Sequence, residues 1–331
     1  MNVRNYISSI ILILLILVNF IVLSNPSRSI TQDLSDIQVA FYDGEGAWEY
    51  GRVVMINLFE LMGCNITMVR GDDIINGCLV NFDVLYWPGG HYPAYWDEMG
   101  LAGKLAVQEF VRKGGGYLGI CAGGYYACDY IVWMDDSAFP APTYKVEGDE
   151  LNLDLCPGVA IGPIFEIVDR PEPGYAMTRI DIINRSHPIT DSLPEYMQII
   201  YIGGPYFELY EGRNVTVLGT YNVTGTPAIV ALPYGDGWVF LIGPHAEVEE
   251  ESDRDGQDPT PELSDEGSDW PLLFEAMKWI TQTPDLLKQT SSTTTQTSAI
   301  TSQTTNLALD GFLIFTLTLY LFKQRNKRKR K

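Results

Sequence analysis

The feature that most constrains the fold is the alternation of short apolar runs with helix-patterned segments between residues 37 and 128. Apolar runs bounded by glycine, proline or acidic turns predict buried strands, here Ile37–Tyr42, Ile66–Val69, Val84–Trp87 and Tyr117–Ile120. Between them, Tyr50–Met62 and Leu101–Lys113 carry apolar residues at helical spacing. Strands alternating with helices predict parallel pairing through right-handed crossovers, with helices on both faces of the sheet.

The second half of the chain is richer in strands. Further apolar runs predict strands at Tyr144–Glu147, Ile164–Val168, Ile199–Ile202, Val215–Thr220, Ala228–Leu232 and Trp238–Ile242. A helix at Trp270–Ile280 closes the pattern, and no internal repeat is visible. Residues 34–285 are therefore predicted to form one α/β domain on an open, mostly parallel sheet.

The strongest chemical signal follows the fourth predicted strand, in Gly119-Ile120-Cys121-Ala122-Gly123. Glycines two residues before and after the cysteine allow a tight strand-to-helix turn that presents its side chain at the carboxyl edge of the sheet. Open α/β sheets bind ligands at this edge, and a helix N-terminus favours thiolate. The pattern predicts that Cys121 is a nucleophile. The alternative is a small cysteine buried in a glycine-rich turn.

A possible base for this nucleophile follows the last predicted strand, in Gly243-Pro244-His245-Ala246-Glu247. A thiol nucleophile needs a base, and the base needs a carboxylate that orients it. Two residues that are two positions apart in an extended chain point the same way. His245 and Glu247 are therefore the predicted base and orienting group, with a loop histidine beside an acidic segment as the alternative.

Two glycine-containing loops are predicted to complete the site. Gly89 and Gly90 follow the third strand, and the N–H groups of Gly90 and Ala122 are the candidate donors to a developing oxyanion. Tyr206, after Gly203-Gly204-Pro205, is the candidate wall of the cleft. Each of these residues also has an ordinary packing interpretation, as a turn or as part of the core.

Together these segments resemble class I glutamine amidotransferase-like proteins, and more closely the family of biotin-protein ligase N-terminal domains. The resemblance covers most of residues 37–280 and rests on residues 115–127, 203–207, 234–237 and 243–247. It implies an open, flavodoxin-like α/β fold. It also implies a triad in which Cys121 is the nucleophile, His245 the base and Glu247 the orienting carboxylate.

The resemblance leaves two functions open. One is a cysteine-dependent amidohydrolase or peptidase-like hydrolase with a small-molecule or peptide substrate and no cofactor. The other is a non-catalytic surface module that binds a ligand in an aromatic-rich cleft. Biotin transfer is not expected, because no biotinyl-adenylate loop of the Gly-Arg-Gly-Arg type is visible. The chain also shows no synthase partner to receive ammonia.

The two ends of the chain predict export and anchoring. Residues 1–25 are typical of a signal peptide or N-terminal anchor. Residues 286–306 are predicted to be a Thr/Ser-rich stalk, 307–322 a transmembrane or sorting segment, and 323–331 a basic cytoplasmic tail. The expectation is a membrane protein whose globular domain is extracellular. Sequons at Asn65, Asn184, Asn214 and Asn222 give mild support for a glycoprotein.

Charge restricts the partners. The formal net charge is −20, and the basic residues concentrate in the C-terminal tail, so the middle of the chain is more acidic still. Such a surface repels nucleic acid, which is excluded as a partner. The acidic stretch after Glu247 includes Asp253, Asp255 and Asp258, a weak calcium candidate beside the favoured interpretation of a solvated acidic loop.

Five cysteines in a chain expected to be exported predict one free thiol and up to two disulfides. With Cys121 free, the pairings nearest in sequence are Cys64–Cys78 and Cys128–Cys156. Four reduced core cysteines are an equal alternative.

Overall fold

The computed structural model describes residues 34–135, 143–147, 150–168, 174–249, 255–256, 263 and 267–282. Its strands are β1 Gln38–Tyr42, β2 Asn65–Val69, β3 Val84–Trp87, β4 Gly116–Ile120, β5 Cys128–Asp135, β6 Thr143–Glu147, β7 Cys156–Gly162, β8 Ala176–Ile182, β9 Tyr196–Tyr201, β10 Tyr206–Leu209, β11 Thr216–Tyr221, β12 Pro227–Tyr234 and β13 Gly237–Ile242. Its helices are α1 Glu49–Met62, α2 Gly71–Ile75, α3 Tyr92–Arg112, α4 Ala122–Ala127 and α5 Trp270–Ile280, with a 3₁₀ turn at Cys78–Asn81.

Nine strands form the central sheet in the order β2-β1-β3-β4-β13-β12-β11-β8-β9. The first five pair in parallel, and β13, β12, β11, β8 and β9 pair antiparallel. A second sheet of four strands has the order β10-β7-β5-β6. The predicted α/β fold is confirmed, and its strand-rich second half forms the antiparallel part and the small sheet.

Alternating side chains on β1 show how the central sheet is buried on both faces. Val39 and Phe41 face a cluster that includes residues of α1 and α5, whereas Ala40 and Tyr42 face a cluster that includes residues of α2, α3 and α4. All four residues are fully buried. Burial on both faces explains why β1, β3 and β4 are nearly continuous apolar runs, whereas the edge strand β2 is mostly exposed.

Two local predictions need correction. Helix α3 begins at Tyr92, earlier than the predicted Leu101, and is broken at Gly100, where φ is 51°. Residues Ile164–Val168 form turns instead of a strand, and the Ile164 N–H donates to the Tyr201 hydroxyl at 2.7 Å. The apolar run therefore identified two buried residues, Ile164 and Val168, but not the conformation between them.

The predicted terminal segments 1–25, 286–306, 307–322 and 323–331 lie outside the described residues. Within the described part of the chain, no helix has the length and apolar character needed to cross a membrane. This finding overturns the expectation of a membrane-anchored extracellular protein with a signal peptide and a cytoplasmic tail.

Candidate functional site

Cys121 occupies the turn between β4 and α4 in a backbone conformation that L-residues rarely adopt. Its φ is 52° and its ψ is −107°. Its N–H donates to the Ile242 carbonyl at the end of β13 at 2.9 Å, and its own carbonyl accepts from Gly124 and Tyr125. These bonds hold a non-glycine residue at positive φ, which is the kind of local strain that clusters at functional sites.

The two flanking glycines are required by close packing. A Cβ on Gly123 would collide with the Trp87 carbonyl oxygen, and a Cβ on Gly119 would lie 2.8 Å from the Gly123 oxygen. The turn therefore packs directly against the end of β3. The glycine spacing that predicted the turn has this steric origin.

His245 and Glu247 lie in the turn after β13, almost completely shielded from solvent. The exposed fraction is 2% for His245 and 0% for Glu247. Their side chains are joined by a 2.7 Å hydrogen bond between His245 Nδ1 and Glu247 Oε1. The backbone N–H of His245 donates to the Ile200 carbonyl at 2.8 Å, which anchors the turn to the end of β9.

Strand pairing brings the cysteine and the histidine to the same edge of the sheet. Strands β4 and β13 are parallel neighbours, with Ile120 opposite Ile242. The Cys121 thiol is hydrogen-bonded to the His245 ring. Since Nδ1 is bound to Glu247, Nε2 is the nitrogen that faces the sulfur.

Gly89 lies directly beside this pair. A Cβ placed on Gly89 would be 2.8 Å from His245 Cε1 and 3.3 Å from Cys121 Cβ. The loop after β3 can approach the cysteine and the histidine this closely because it carries no side chain here. Gly89 therefore acts as a spacer in the site.

The charge on His245 depends on its partners. Burial by itself would lower its pKa, but the negative charges of Glu247 and Cys121 and the hydrogen bonds to both raise the pKa to about 10. His245 therefore carries a proton at neutral pH. The proton donor and its carboxylate partner are held together in a region that excludes water.

Three aromatic residues that the sequence analysis did not identify support the pair. The Trp48 ring contacts His245 edge-on, with centroids 4.9 Å apart. The Trp270 indole N–H donates to the Glu247 carbonyl at 2.7 Å. Tyr86 is fully buried, and burial followed by the Glu247 charge raises its pKa well above the usual value. No local pattern links these positions to the site, because their nearness to the pair depends on tertiary packing.

Two backbone N–H groups border the cavity without a backbone acceptor among the described residues. The Cys121 and Gly123 N–H groups donate to Ile242 and Pro88 carbonyls, whereas those of Gly90 and Ala122 have no such acceptor in the described loops. Gly90 and Ala122 both line a cavity next to Cys121. Free N–H groups beside a nucleophile are the donors that a developing oxyanion requires.

This cavity has a volume of about 300 Å³. The described residues that line it are Gly90, His91, Tyr92, Pro93, Cys121, Ala122, Tyr125, Trp133, Ile202 and Gly203. Tyr206, the predicted wall, lies on β10 and is not one of them. The cleft wall comes instead from residues of α3, α4 and β5.

All five cysteines are free thiols, so the predicted disulfides are wrong in this structure. Cys64 packs in the cluster with α1 and α5, whereas Cys78 packs against the cluster on the other face of the sheet. Cys128 and Cys156 are register partners on β5 and β7, and their thiols form a hydrogen bond.

The calcium candidate is only partly described. Asp253 and Asp258 lie outside the described residues. Asp255 is fully buried, and its Oδ2 accepts from the Glu249 N–H at 3.0 Å. In the described segments, no group of three or more His, Cys, Asp or Glu side chains is placed to hold a metal ion.

Comparison with known proteins gives two curated relatives. A biotin–protein ligase of Schizosaccharomyces pombe is 31% identical over 175 residues, which is 51% of this chain and 26% of that protein. An uncharacterized protein of Chlamydia muridarum is 31% identical over 168 residues, which is 50% of this chain and 60% of that protein. The chain thus matches about a quarter of one relative and less than two thirds of the other.

Among solved structures, a glutamine amidotransferase of Thermotoga maritima is 13% identical and has a TM-score of 0.46, covering 75% of this chain and 99% of that one. The family profile described as "Biotin-protein ligase, N terminal" matches residues 39–268, a stretch that includes Cys121, His245 and Glu247. The chain belongs to the family of biotin-protein ligase N-terminal domains.

Proposed function

We propose that this domain catalyses acyl transfer through a thioester on Cys121. The observation that carries the proposal is a continuous hydrogen-bonded chain from Glu247 through His245 to Cys121 at one edge of the sheet. The hydrogen-bonded series ends at Cys121, which is 7% exposed and lines a cavity of about 300 Å³ with room for a small carbonyl compound. A nucleophile, a base and an orienting carboxylate in this order support covalent catalysis.

In the first step, the Cys121 sulfur attacks the carbonyl carbon of an amide. A C–S bond forms, and the π electron pair of the carbonyl moves onto its oxygen. The N–H groups of Gly90 and Ala122 would stabilise that negative oxygen, because they border the cavity beside the sulfur. His245 holds the proton that balances the thiolate charge.

In the second step, the oxygen lone pair re-forms the carbonyl, and the C–N bond breaks. The leaving nitrogen takes the proton from His245 Nε2 and departs as a neutral amine. A water molecule then attacks the thioester and gives a proton to His245. The C–S bond breaks, and the acid product leaves the thiolate paired with the imidazolium. Glu247 fixes the ring and stabilises its charge throughout.

The ligase activity of the Schizosaccharomyces pombe relative is not assigned to this chain. The matched stretch covers 26% of that protein, and ligation belongs to the whole relative. What supports acyl transfer here is the arrangement of this chain's own side chains.

Selective alkylation tests whether the thiol is activated. Iodoacetamide near neutral pH is expected to modify Cys121 faster than it modifies glutathione. The His245→Ala substitution is expected to remove this difference in rate. His187→Ala is the matched control, since His187 is a partly buried imidazole that contacts Trp279. The modified cysteine is identified by peptide mass spectrometry. An ordinary alkylation rate at Cys121 would instead favour a ligand-binding module without chemistry.

Acylation itself is tested with p-nitrophenyl acetate. The expected result is one equivalent of p-nitrophenolate released rapidly and an acetyl group on Cys121 in the mass spectrum. Cys121→Ala should give neither. Rapid alkylation without any acetyl-enzyme would show a reactive thiol that does not transfer acyl groups.

A further inference from the structure

The cavity beside Cys121 has an aromatic wall made of Tyr92, Tyr125 and Trp133. Their ring centroids lie 5.5 Å apart for the two tyrosines, 5.9 Å for Tyr92 and Trp133, and 5.7 Å for Tyr125 and Trp133. The three rings therefore form one packed surface, and they are too close together to surround a ligand from three sides.

The members of this wall differ in what they leave accessible. Tyr92 is 6% exposed and Tyr125 is 1% exposed, and the Tyr125 hydroxyl is already bound to the Gly203 carbonyl at 3.0 Å. Trp133 is only partly buried. Trp133 is therefore the least buried of the three rings that line the cavity.

None of the described residues that line the cavity is Lys, Arg, Asp or Glu; its polar groups include the His91 imidazole, the Cys121 thiol and backbone groups. Free glutamine carries an ammonium and a carboxylate, and each would lose water here without gaining an ion pair from a described lining residue, which is unfavourable. The net charge of −20 further disfavours an anionic substrate.

We infer that the substrate is an uncharged amide whose acyl group carries an aromatic ring that packs on Trp133. This inference rests on the proposed acyl transfer at Cys121 and specifies the substrate class for it. Aromatic rings pack favourably edge-to-face or offset, and such a pair is more favourable than burial of the ring alone. The ring would hold the carbonyl carbon near the sulfur and the N–H groups of Gly90 and Ala122.

The test compares three alkylating reagents on the full chain: iodoacetamide, iodoacetate and N-phenyl iodoacetamide. In each reaction the Cys121 sulfur forms a C–S bond, the C–I bond breaks and iodide leaves. Each second-order rate constant is divided by that for free glutathione at the same pH. We expect the phenyl reagent to be favoured roughly tenfold over iodoacetamide, and iodoacetate to be disfavoured.

Substitutions test whether the preference for the phenyl reagent comes from the aromatic wall. Trp133→Ala is expected to abolish the preference for the phenyl reagent. Trp133→Leu should do the same while keeping apolar bulk, which covers the case in which the alanine variant does not fold. Tyr130→Ala is the matched control, because Tyr130 is an exposed aromatic residue on the same strand. It should retain the preference.

Protection gives a second readout on the unmodified protein. Benzamide is expected to slow alkylation of Cys121 by iodoacetamide, whereas L-glutamine at the same concentration should not. A Cys121 that reacts rapidly but shows neither phenyl preference nor benzamide protection would overturn the inference and leave acyl transfer standing. A Cys121 no more reactive than glutathione towards iodoacetamide would overturn the proposed function itself.

Discussion

Helix α4 separates two cysteines with opposite environments. Cys121 precedes the helix, lines a cavity and is hydrogen-bonded to His245. Cys128 follows the helix, is fully buried and is hydrogen-bonded to Cys156. Burial first, and then the Cys156 thiol, raise the pKa of Cys128 well above its usual value. Since Cys121 is itself only 7% exposed, the comparison shows that a cavity-lining position and an imidazole partner distinguish a candidate nucleophile from a core thiol in the same segment.

Replacing each thiol separately with alanine should give the largest difference in the rate of acyl transfer. Cys121→Ala removes the attacking atom and is expected to lower acyl transfer by at least roughly 10³-fold, whereas Cys128→Ala leaves the chain of hydrogen bonds intact. Rates with p-nitrophenyl acetate measure both effects, and circular dichroism controls for folding. A comparable loss in Cys128→Ala would remove the functional distinction between the two cysteines.

The next largest effect should come from Glu247→Gln. This change keeps the shape of the side chain but removes the charge that holds His245 protonated, and acyl transfer should fall by roughly 10²–10⁴-fold. The pKa of His245 should also fall below about 10, because Glu247 is the strongest influence that raises it. NMR titration of the His245 ring checks this shift. Glu249→Gln, two residues further along the chain, should leave the His245 titration unchanged.

The pH dependence of the rate of amide cleavage should distinguish His245 from His187 as the proton donor. The pKa of His245 is raised to about 10, so loss of its proton should slow departure of the amine as the pH rises through that value. Below it, His245 remains able to donate. Burial lowers the pKa of His187, which therefore loses its proton below the ordinary value of 6.5. If the rate of amide cleavage instead fell as the pH rose through about 6, His245 would not be the proton donor.

The raised pKa of His245 also predicts how the stability of the fold depends on pH. Because the folded-state pKa of His245 exceeds the unfolded value of 6.5, its contribution to stability is complete below 6.5 and is lost as the pH rises through about 10. Urea unfolding of the wild type and His245→Ala across this range checks the trend. Equal pH dependence in both proteins would show that another group controls it.

The sequence predicted the parts of the site that depend on local chain geometry. The glycine spacing around Cys121 and the two-residue separation of His245 and Glu247 follow from turn sterics and from the alternation of side chains. It could not show that β4 pairs with β13, because that contact joins strands far apart in the chain. Trp133 was missed for the same reason, since its place in the cavity depends on the packing of β5.

The errors came from inferences that depended on a premise about location. Terminal apolar segments suggested export, and export made an odd number of cysteines suggest disulfides. The described structure has no membrane-crossing helix and places Cys64 and Cys78 in separate clusters. Residue counts do not determine which side chains meet. For Cys128 and Cys156, strand register determines this, and it brings the two thiols together.

The smallest effect is expected for Cys156→Ala, which tests whether burial or the Cys156 thiol keeps Cys128 unreactive. Cys156→Ala removes its hydrogen-bond partner and a small volume of the core, at a cost of about 1 kcal/mol in unfolding free energy. Burial is the largest cause of the raised pKa of Cys128, so its thiol should still resist iodoacetamide while the protein is folded. Cys121 should react at its wild-type rate in the same sample. If Cys128 became as reactive as Cys121, its partner and not its burial would be responsible for the difference between the two cysteines.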